Sequence, residues 1–242
     1  TTFSFVEQTI TISRICLRTA AGRNQGSEKM LNRNSDWIEA FSDLQIEEVY
    51  YLAPLDNLDS ILTNGILAQN EVTRRGLSHL DISEPSVQQR RELRGLHDSV
   101  PFYFARKTPM SSVRRELNHK LCILVVRMDR LCQRAEQLQF TDGNAGAGKT
   151  QFYSQSADLV ENLPLEVIRA DRWWDYPGGK RRRCAELLVQ PAVSASTIKR
   201  IEVAYPQGKP VVDAAIERAR PEQSIDWTPI CTVNREAFFV GA

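Results

Sequence analysis

The sequence has few of the residues that metal sites and disulfide frameworks need. Its 242 residues include only five cysteines and three histidines. No two cysteines form a CxxC pair, and no histidine lies at ligand spacing from one, so we expect no metal site. An odd number of scattered cysteines is typical of a reducing compartment. We therefore expect buried thiols and a cytoplasmic protein.

The chain also lacks long apolar runs and a strong net charge. No stretch of about 18 apolar residues is present, so we expect no membrane-spanning segment. The 31 basic and 30 acidic residues leave a formal charge of +1, so overall charge does not indicate a nucleic-acid partner. Local clusters, such as the four basic residues 180–183, can still form a basic groove. No heptad repeat or apolar stripe is present, and we expect a monomer.

Short apolar segments alternate with amphipathic ones, without repeats and without a βαβ series. This pattern predicts an α+β fold with one domain over residues 36–242, preceded by an extension, 1–35, of unassigned role. Strands are predicted at 47–53, 100–104, 121–128, 185–190 and 200–205, and the end of the chain adds a candidate strand. Helices are predicted at 55–62, 86–94, 108–119, 164–174 and 211–220.

A glycine-rich segment fits the phosphate-loop pattern GxxxxGK[ST] through Gly143, Gly148, Lys149 and Thr150. In a phosphate loop the backbone amides wrap the phosphates, the lysine reaches the terminal ones and the hydroxyl binds magnesium. That motif must follow a buried strand and open a helix. Here the preceding apolar segment is short and the following residues show no helical pattern. We interpret the segment as a flexible loop and keep nucleotide hydrolysis as an alternative function.

Five segments, in a fixed order, carry a family resemblance. They are YYLAPLDNL at 50–58 with GILAQN at 65–70, QQRR at 88–91, HDSVPFYF at 97–104 with TPM at 108–110, FTDGNA at 140–145 with TQFY at 150–153, and RRRCAELLV at 181–189. Together they resemble the DarT family of DNA ADP-ribosyltransferase toxins over residues 49–190. The resemblance does not extend to residues 1–35.

The resemblance implies an ADP-ribosyltransferase-like fold, with a split β-sheet, surrounding helices and NAD bound as co-substrate in the cleft. It implies the toxin half of a toxin–antitoxin pair, whose partner is a DarG-like macrodomain protein that removes the modification. The implied acceptor is a base of single-stranded DNA. Thymine is the usual base, and guanine is the alternative seen in a related branch.

The resemblance also implies two catalytic residues, Glu186 and Arg91. Cleavage of the nicotinamide–ribose bond leaves positive charge at the anomeric carbon, which a carboxylate can stabilise. We therefore expect the side chain of Glu186 to be exposed in the cleft. An arginine stays protonated, so we expect Arg91 to bind NAD and to favour the deprotonated base through its charge. The alternatives are a solvated Glu186 at a strand end and an exposed Arg91 paired with Glu84 or Glu92.

The NAD-binding residues implied by the resemblance are Tyr51, Leu52, Ala53, Ser60 and Leu67, together with Arg91. Many family members have histidine at the position of Tyr51. A tyrosine there can still offer a hydroxyl group, although its geometry differs. The alternative is that Tyr51 is an ordinary aromatic residue of a strand.

The loop 141–153 matches the family's acceptor-recognition loop, and Asn144 stands where some members have histidine. Because single-stranded DNA binds to cations combined with stacking aromatic rings, we expect two further DNA-binding walls. They consist of Met110, Ser111 and Arg114 on one side and Trp173, Trp174, Lys180, Arg181, Arg182 and Arg183 on the other. The alternatives are a core role for Trp173 and a solvated arginine run. An inactive single-strand-binding module and a protein or RNA acceptor also remain open.

Overall fold

The computed structural model describes residues 34–219 and 228–240. The predictions for residues 1–33, including a buried Cys16, lie outside the described residues. The first described element is a helix, α1, over residues 34–43. Its Trp37 and Phe41 rings lie 5.6 Å apart and are buried in the main core. Helix α1 therefore packs as part of the same core as the sheet.

The described strands form an eight-stranded mixed sheet in the order β10-β9-β4-β1-β3-β7-β5-β6, and β2 and β8 form a separate antiparallel pair. Within the large sheet, β9 and β10 are parallel and the other neighbours are antiparallel. The strands are β1 (Glu48–Pro54), β2 (Ile66–Leu67), β3 (Val100–Tyr103), β4 (Leu121–Arg127), β5 (Gln137–Thr141), β6 (Phe152–Tyr153), β7 (Glu186–Gln190), β8 (Ala192–Val193), β9 (Ile198–Val203) and β10 (Ile230–Val233).

Short helices surround the sheet, and the longest of the described helices is α10, with 12 residues. They are α2 (Leu58–Asn64), α3 (Gln69–Arg74), α4 (Pro85–Glu92), α5 (Pro109–Val113), α6 (Met128–Arg134), α7 (Leu159–Asn162), α8 (Leu165–Arg169), α9 (Gly179–Arg182) and α10 (Gly208–Ala219). Single 3₁₀ turns connect several of them. The predicted α+β class is confirmed.

The sheet separates between β1 and β3. These strands share one paired position, Tyr50 with Tyr103, whereas β1 and β4 pair along seven positions from Glu48 to Pro54. Two strands joined at one position diverge beyond it, which opens a space between the two halves of the sheet. This separation is the split that the family resemblance implies.

Strand β4 is the most buried strand, as its composition predicts. Six of its seven residues, Leu121 to Val126, are buried. Since β1 and β9 cover both edges of β4, and side chains cover both faces, an almost continuous apolar run is the expected sequence. Strand β7 is similarly buried, but it begins with a carboxylate, Glu186.

Two predicted helices are shorter than expected. The helix predicted at 108–119 is α5, which ends at Val113 and is followed by a 3₁₀ helix over Arg115–Lys120. Its start is as predicted, with Thr108 and Ser111 forming a capping box. The helix predicted at 164–174 is α8, which ends at Arg169, and Trp173–Asp175 forms a separate 3₁₀ turn. Serine and β-branched residues in α5 favour local side-chain bonds over continued helix.

Gly65 ends α2 as the sequence predicted, and it does so for two structural reasons. Its φ of 88° lies in the left-handed region that favours glycine. A Cβ at this position would also lie 2.6 Å from the carbonyl oxygen of Val193. The close approach allows β2, which follows Gly65, to pair with β8.

The four described cysteines, Cys122, Cys132, Cys184 and Cys231, are free and buried, which confirms the expected buried thiols at these positions. Across the described ranges, no helix combines the length and the apolar character that crossing a bilayer requires.

Candidate active site

A cavity of ≈ 720 Å³ opens where the sheet splits. It lies between Tyr51 and Leu52 of β1, Tyr103 of β3, and Arg90 and Arg91 of α4. Its volume falls in the range of about 300–1,000 Å³ that is typical of ligand pockets. The split therefore creates the space for a ligand, and α4 supplies positive charge to it.

Glu186 lies beneath one wall of this cavity, opposite Tyr103 in the pairing of β3 with β7. Its side chain is 0% exposed. One carboxylate oxygen, Oε1, accepts the backbone N–H of Ala145 at 3.0 Å, and Oε2 accepts Arg91 Nη1 at 3.0 Å. The prediction of an exposed Glu186 is wrong, because a loop amide and a guanidinium cover the carboxylate. A backbone amide carries no sequence signal that could have revealed this contact.

Arg91 connects the buried carboxylate to the cavity. Its side chain is 12% exposed, and it pairs with Glu186 rather than with Glu84 or Glu92. Burial disfavours its charge, but Glu186 and Tyr103 outweigh that effect and place the pKa of Arg91 above its ordinary value. Its Nη2 atom is buried without a hydrogen-bond partner among the described residues. A buried donor of this kind is costly unless a ligand satisfies it.

Two tyrosines on the cavity wall keep their protons at neutral pH. Burial raises the pKa of Tyr51 to about 12. Burial, and then the nearby Glu186 carboxylate, raise the pKa of Tyr103 well above its ordinary value. Both hydroxyls therefore stay protonated and can donate a hydrogen bond. The sequence did not single out Tyr103, because its place opposite Glu186 depends on the strand register.

Only part of the predicted NAD set lies together. Tyr51, Leu52, Leu67 and Arg91 line the cavity. Ala53 does not, because it is buried in the core. Ser60 does not line it either. It lies on α2, where its carbonyl and hydroxyl oxygens contact the Asn64 amide at 3.1 and 3.4 Å. The structure therefore contradicts a direct cavity contact for Ala53 and Ser60.

The segment 79–84 forms a further cavity wall that the sequence analysis did not identify. Buried Asn57 holds this segment by the backbone: its Oδ1 accepts the N–H of Leu80 and its Nδ2 donates to the carbonyl of Leu80, both at 2.9 Å. Gln88 of α4 donates to Asp81 of the same segment. The wall is thus fixed to the turn after β1 and to α4.

The glycine-rich loop is closed by an ion pair and does not form a phosphate loop. Arg181 donates to both carboxylate oxygens of Asp142 at 2.7 and 2.8 Å, and its carbonyl accepts the N–H of Asn144 at 3.0 Å. Asn144 lines the cavity, with its Oδ1 accepting the N–H of Gly146 at 2.9 Å. The loop leads from Thr150 into β6 and opens no helix. The structural context that a phosphate loop requires is therefore missing.

The predicted basic wall 180–183 divides into different roles. Lys180 is exposed and lines the cavity. Arg181 also lines it but is paired with Asp142, and Arg182 pairs with Glu166.

Arg183 holds other segments together. It donates to the carbonyl oxygens of Lys107, Val167, Ile168 and Ala170. Burial lowers the pKa of its guanidinium. The Nε and Nη1 atoms bonded to backbone carbonyls give Arg183 a structural role, and its contact with DNA stays a prediction.

The remaining predicted DNA-binding residues are also separated. Met110 and Arg114 line the cavity, and Arg114 pairs with Glu84 across its mouth at 2.8 Å. Ser111 is buried and its hydroxyl belongs to the capping box of α5, which contradicts a direct DNA contact.

Trp173 and Trp174 lie outside the cavity lining. Their rings meet edge to face at 5.5 Å, and Trp174 is 57% exposed. A Cβ on Gly179 would lie 1.8 Å from the carbonyl oxygen of Trp173, so this turn requires glycine. The pair therefore sits in a fixed turn with Trp174 open to solvent.

Within residues 34–219 and 228–240, no cluster of three or more His, Cys, Asp or Glu side chains could hold a metal ion.

Comparisons with known proteins agree with this geometry. Residues 50–237 match the family described as "ssDNA thymidine ADP-ribosyltransferase, DarT". A DNA ADP-ribosyl transferase–DNA ADP-ribosyl glycohydrolase fusion protein of Thermosipho africanus is 29% identical over 169 residues, which are 66% of this chain and 43% of the relative. The DNA ADP-ribosyl transferase of Thermus sp. strain 2.9 is 28% identical over 171 residues, covering 64% of this chain and 80% of the relative.

Solved structures of Thermus sp. 2.9 DarT share the fold. The complex with ADP-ribosylated single-stranded DNA matches with a TM-score of 0.70 at 23% identity, covering 81% of this chain and 97% of the other. The complex with NAD⁺ matches with a TM-score of 0.64 at 22% identity, covering 80% and 98%. The family match spans residues 50–237, from β1 to the last 3₁₀ turn, and so includes both halves of the split sheet and the cavity. The chain belongs to the DarT family of DNA ADP-ribosyltransferases.

Proposed function

We propose that this chain transfers ADP-ribose from NAD to a thymine base in single-stranded DNA and releases nicotinamide. The observation that carries the proposal is the pairing of Arg91 with Glu186 beside the cavity, with Arg91 Nη2 buried and unsatisfied. A carboxylate and a spare guanidinium donor at one ligand cavity suit a substrate that carries phosphates and a ribose.

Glu186 would supply the electrostatic part of catalysis. As the bond between the nicotinamide nitrogen and the ribose carbon breaks, nicotinamide leaves with the bonding electron pair and positive charge develops on the ribose. A preorganised carboxylate stabilises that charge more than it stabilises the neutral substrate. Arg91 orients the carboxylate for this role.

The cavity fits NAD by size and by its chemical groups. Arg90 and Arg91 provide cations for the pyrophosphate, while Tyr51 and Tyr103 provide hydroxyl donors. Leu52 and Leu67 add apolar surface on the side of β1. Tyr51 in place of histidine keeps a donor at this position, because its raised pKa leaves the hydroxyl protonated.

The acceptor base would enter beside Asn144 and Arg91. A ring nitrogen of thymine forms the new bond to the ribose carbon as its proton passes to solvent. The positive charge of Arg91 favours the deprotonated base. Met110, Arg114, Lys180 and exposed Trp174 are the residues that we propose for the DNA strand, as cations and a stacking ring.

We further propose that residues 36–242 act as one catalytic domain, as a monomer in the cytoplasm. A DarG-like macrodomain protein is the proposed antitoxin. The fusion protein of Thermosipho africanus, which joins a transferase to a glycohydrolase, supports this pairing, and this chain spans 43% of its length. Co-expression with such a macrodomain protein should remove the DNA modification and restore growth.

The test is incubation of the chain with NAD and four oligonucleotides that each contain a single kind of reactive base. Mass analysis should show one added ADP-ribose on the thymine oligonucleotide and an equal amount of free nicotinamide. An adduct on the guanine oligonucleotide alone would replace the thymine assignment. Intact NAD and unmodified oligonucleotides would reject the proposed function.

A further inference from the structure

Arg94, in the turn after α4, forms hydrogen bonds with the acceptor loop 141–153. It lies three residues after Arg91 in the turn that follows α4, where its backbone N–H donates to the carbonyl of Arg91 at 3.2 Å. Its Nη1 donates to the carbonyl of Ala145 at 2.9 Å, and its Nη2 donates to the carbonyl of Gly148 at 3.3 Å. Its guanidinium also lies 5.7 Å from the centre of the Phe152 ring.

The backbone N–H and the backbone carbonyl of Ala145 are both hydrogen-bonded to side chains. Its N–H donates to Glu186 Oε1 at 3.0 Å, while its carbonyl accepts Arg94. Its side chain is fully buried against Leu96 and Leu188. The residue that covers the carboxylate is therefore fixed in place by Arg94 and by local packing.

We propose that Arg94 is a positioning residue that latches the segment 144–148 over Glu186; this inference rests on the proposed transferase function. In the latched state the carboxylate is 0% exposed and both of its oxygens are occupied. The segment must move before the carboxylate can contact a ribose. The stability of the contacts between Arg94 and the segment determines how often the segment opens when no DNA is bound.

A weaker latch has two consequences of opposite sign. The carboxylate becomes accessible more often, so NAD is cleaved more often without DNA. Water then attacks the ribose carbon, nicotinamide leaves with the electron pair, and the water loses a proton to solvent. The acceptor base loses a fixed wall of its site at the same time, so transfer to DNA falls. Loss of overall stability would lower both products together.

The experiment compares Arg94→Gln with Arg127→Gln as the matched control. Arg127 is likewise an arginine with two donor bonds, made to Asp129, and it lies outside the cavity lining. Losing a hydrogen bond from a charged donor changes an opening equilibrium about tenfold or more. In Arg94→Gln we expect nicotinamide release without DNA to rise about tenfold and the ratio of transfer to hydrolysis to fall by at least that factor. Arg127→Gln should match the parent protein.

Hydrogen exchange of the peptide that contains residues 144–148 supplies a readout that does not need activity. Arg94→Gln should speed exchange there while the peptides of β4 stay unchanged, and Arg94→Lys should give an intermediate rate. An unchanged exchange rate, or an unchanged ratio of transfer to hydrolysis, would overturn the latch. If the parent protein leaves NAD intact when an oligonucleotide is present, the proposed function fails, and the exchange rates alone still decide whether Arg94 holds the loop.

Discussion

Arg91 and Glu186, 95 residues apart in the sequence, meet at 3.0 Å beside the cavity and form an ion pair with little exposure to solvent. One residue comes from a surface helix, the other from the first position of a buried strand. Removing one member leaves the other as a buried, uncompensated charge. Substitutions here therefore change stability as well as chemistry, and each test needs a control that separates the two.

Glu186→Gln should reduce transfer by about 10²–10³-fold, the usual cost of removing one group that stabilises transition-state charge. Steady-state rates of nicotinamide release with an oligonucleotide present give the measurement. The variant should also melt at a lower temperature, because Arg91 loses its partner.

Glu202→Gln is the matched control for that substitution. Glu202 is as buried as Glu186 and pairs with Arg200 and Arg106, away from the cavity lining. It should lower the melting temperature to a similar extent while the folded protein keeps its transfer rate. Equal rates for the two variants would show that Glu186 has no special chemical role.

Arg183→Ala should destabilise the protein by about 2–4 kcal/mol, because several half-buried carbonyls lose a charged donor. The fall in unfolding free energy can be measured with urea. Lys180→Ala, in the short helix α9 that Arg183 directly follows, should leave stability unchanged and weaken oligonucleotide binding, with a smaller dependence on salt. Weaker DNA binding by Arg183→Ala at unchanged stability would contradict the structural role of this arginine.

Lys149→Ala tests the phosphate-loop motif. Lys149 is exposed, and the residues after it enter strand β6 instead of a helix. We expect no hydrolysis of ATP or GTP by either protein, and the same melting temperature. Nucleotide hydrolysis by the parent that disappears in the variant would restore the motif as a functional site.

Glu48 should make stability depend on pH in the acid range. Burial opposes its charge, but bonds from Arg200 and Lys199 outweigh burial and lower its pKa from 4.5 to about 2. A group whose pKa is lower in the folded protein than in the unfolded chain contributes stability at pH values above the unfolded-state pKa. That contribution is lost as the pH falls through the folded-state pKa. The loss should therefore fall between pH 4.5 and about pH 2.

Urea unfolding across that range is the measurement for Glu48. Glu48→Gln should lower stability at neutral pH and flatten the acid slope, while Glu116→Gln, at a side chain that is 83% exposed, should keep the slope. The same slope in Glu48→Gln and in the parent would disprove the contribution.

The sequence by itself indicated five of the ten described strands, β1, β3, β4, β7 and β9, together with a candidate strand at the end of the chain. The run 121–128 indicated a buried strand, which is β4 up to Arg127, and the segments around Arg91 and Glu186 indicated the family, because both signals are local. Gly65 and Thr108 likewise fixed where helices end and begin, since caps depend on a few neighbouring residues.

Only the tertiary structure decided how the candidate site is arranged. The burial of Glu186 depends on the amide of Ala145, and a backbone amide has no sequence signature. The four consecutive basic residues look alike in the sequence, yet only Lys180 is left exposed, while Arg183 donates to carbonyls of two other segments, at Lys107 and at 167–170. The charge of a side chain follows from the identity of the residue. Partners that are distant in sequence decide whether that charge faces a ligand or a backbone carbonyl.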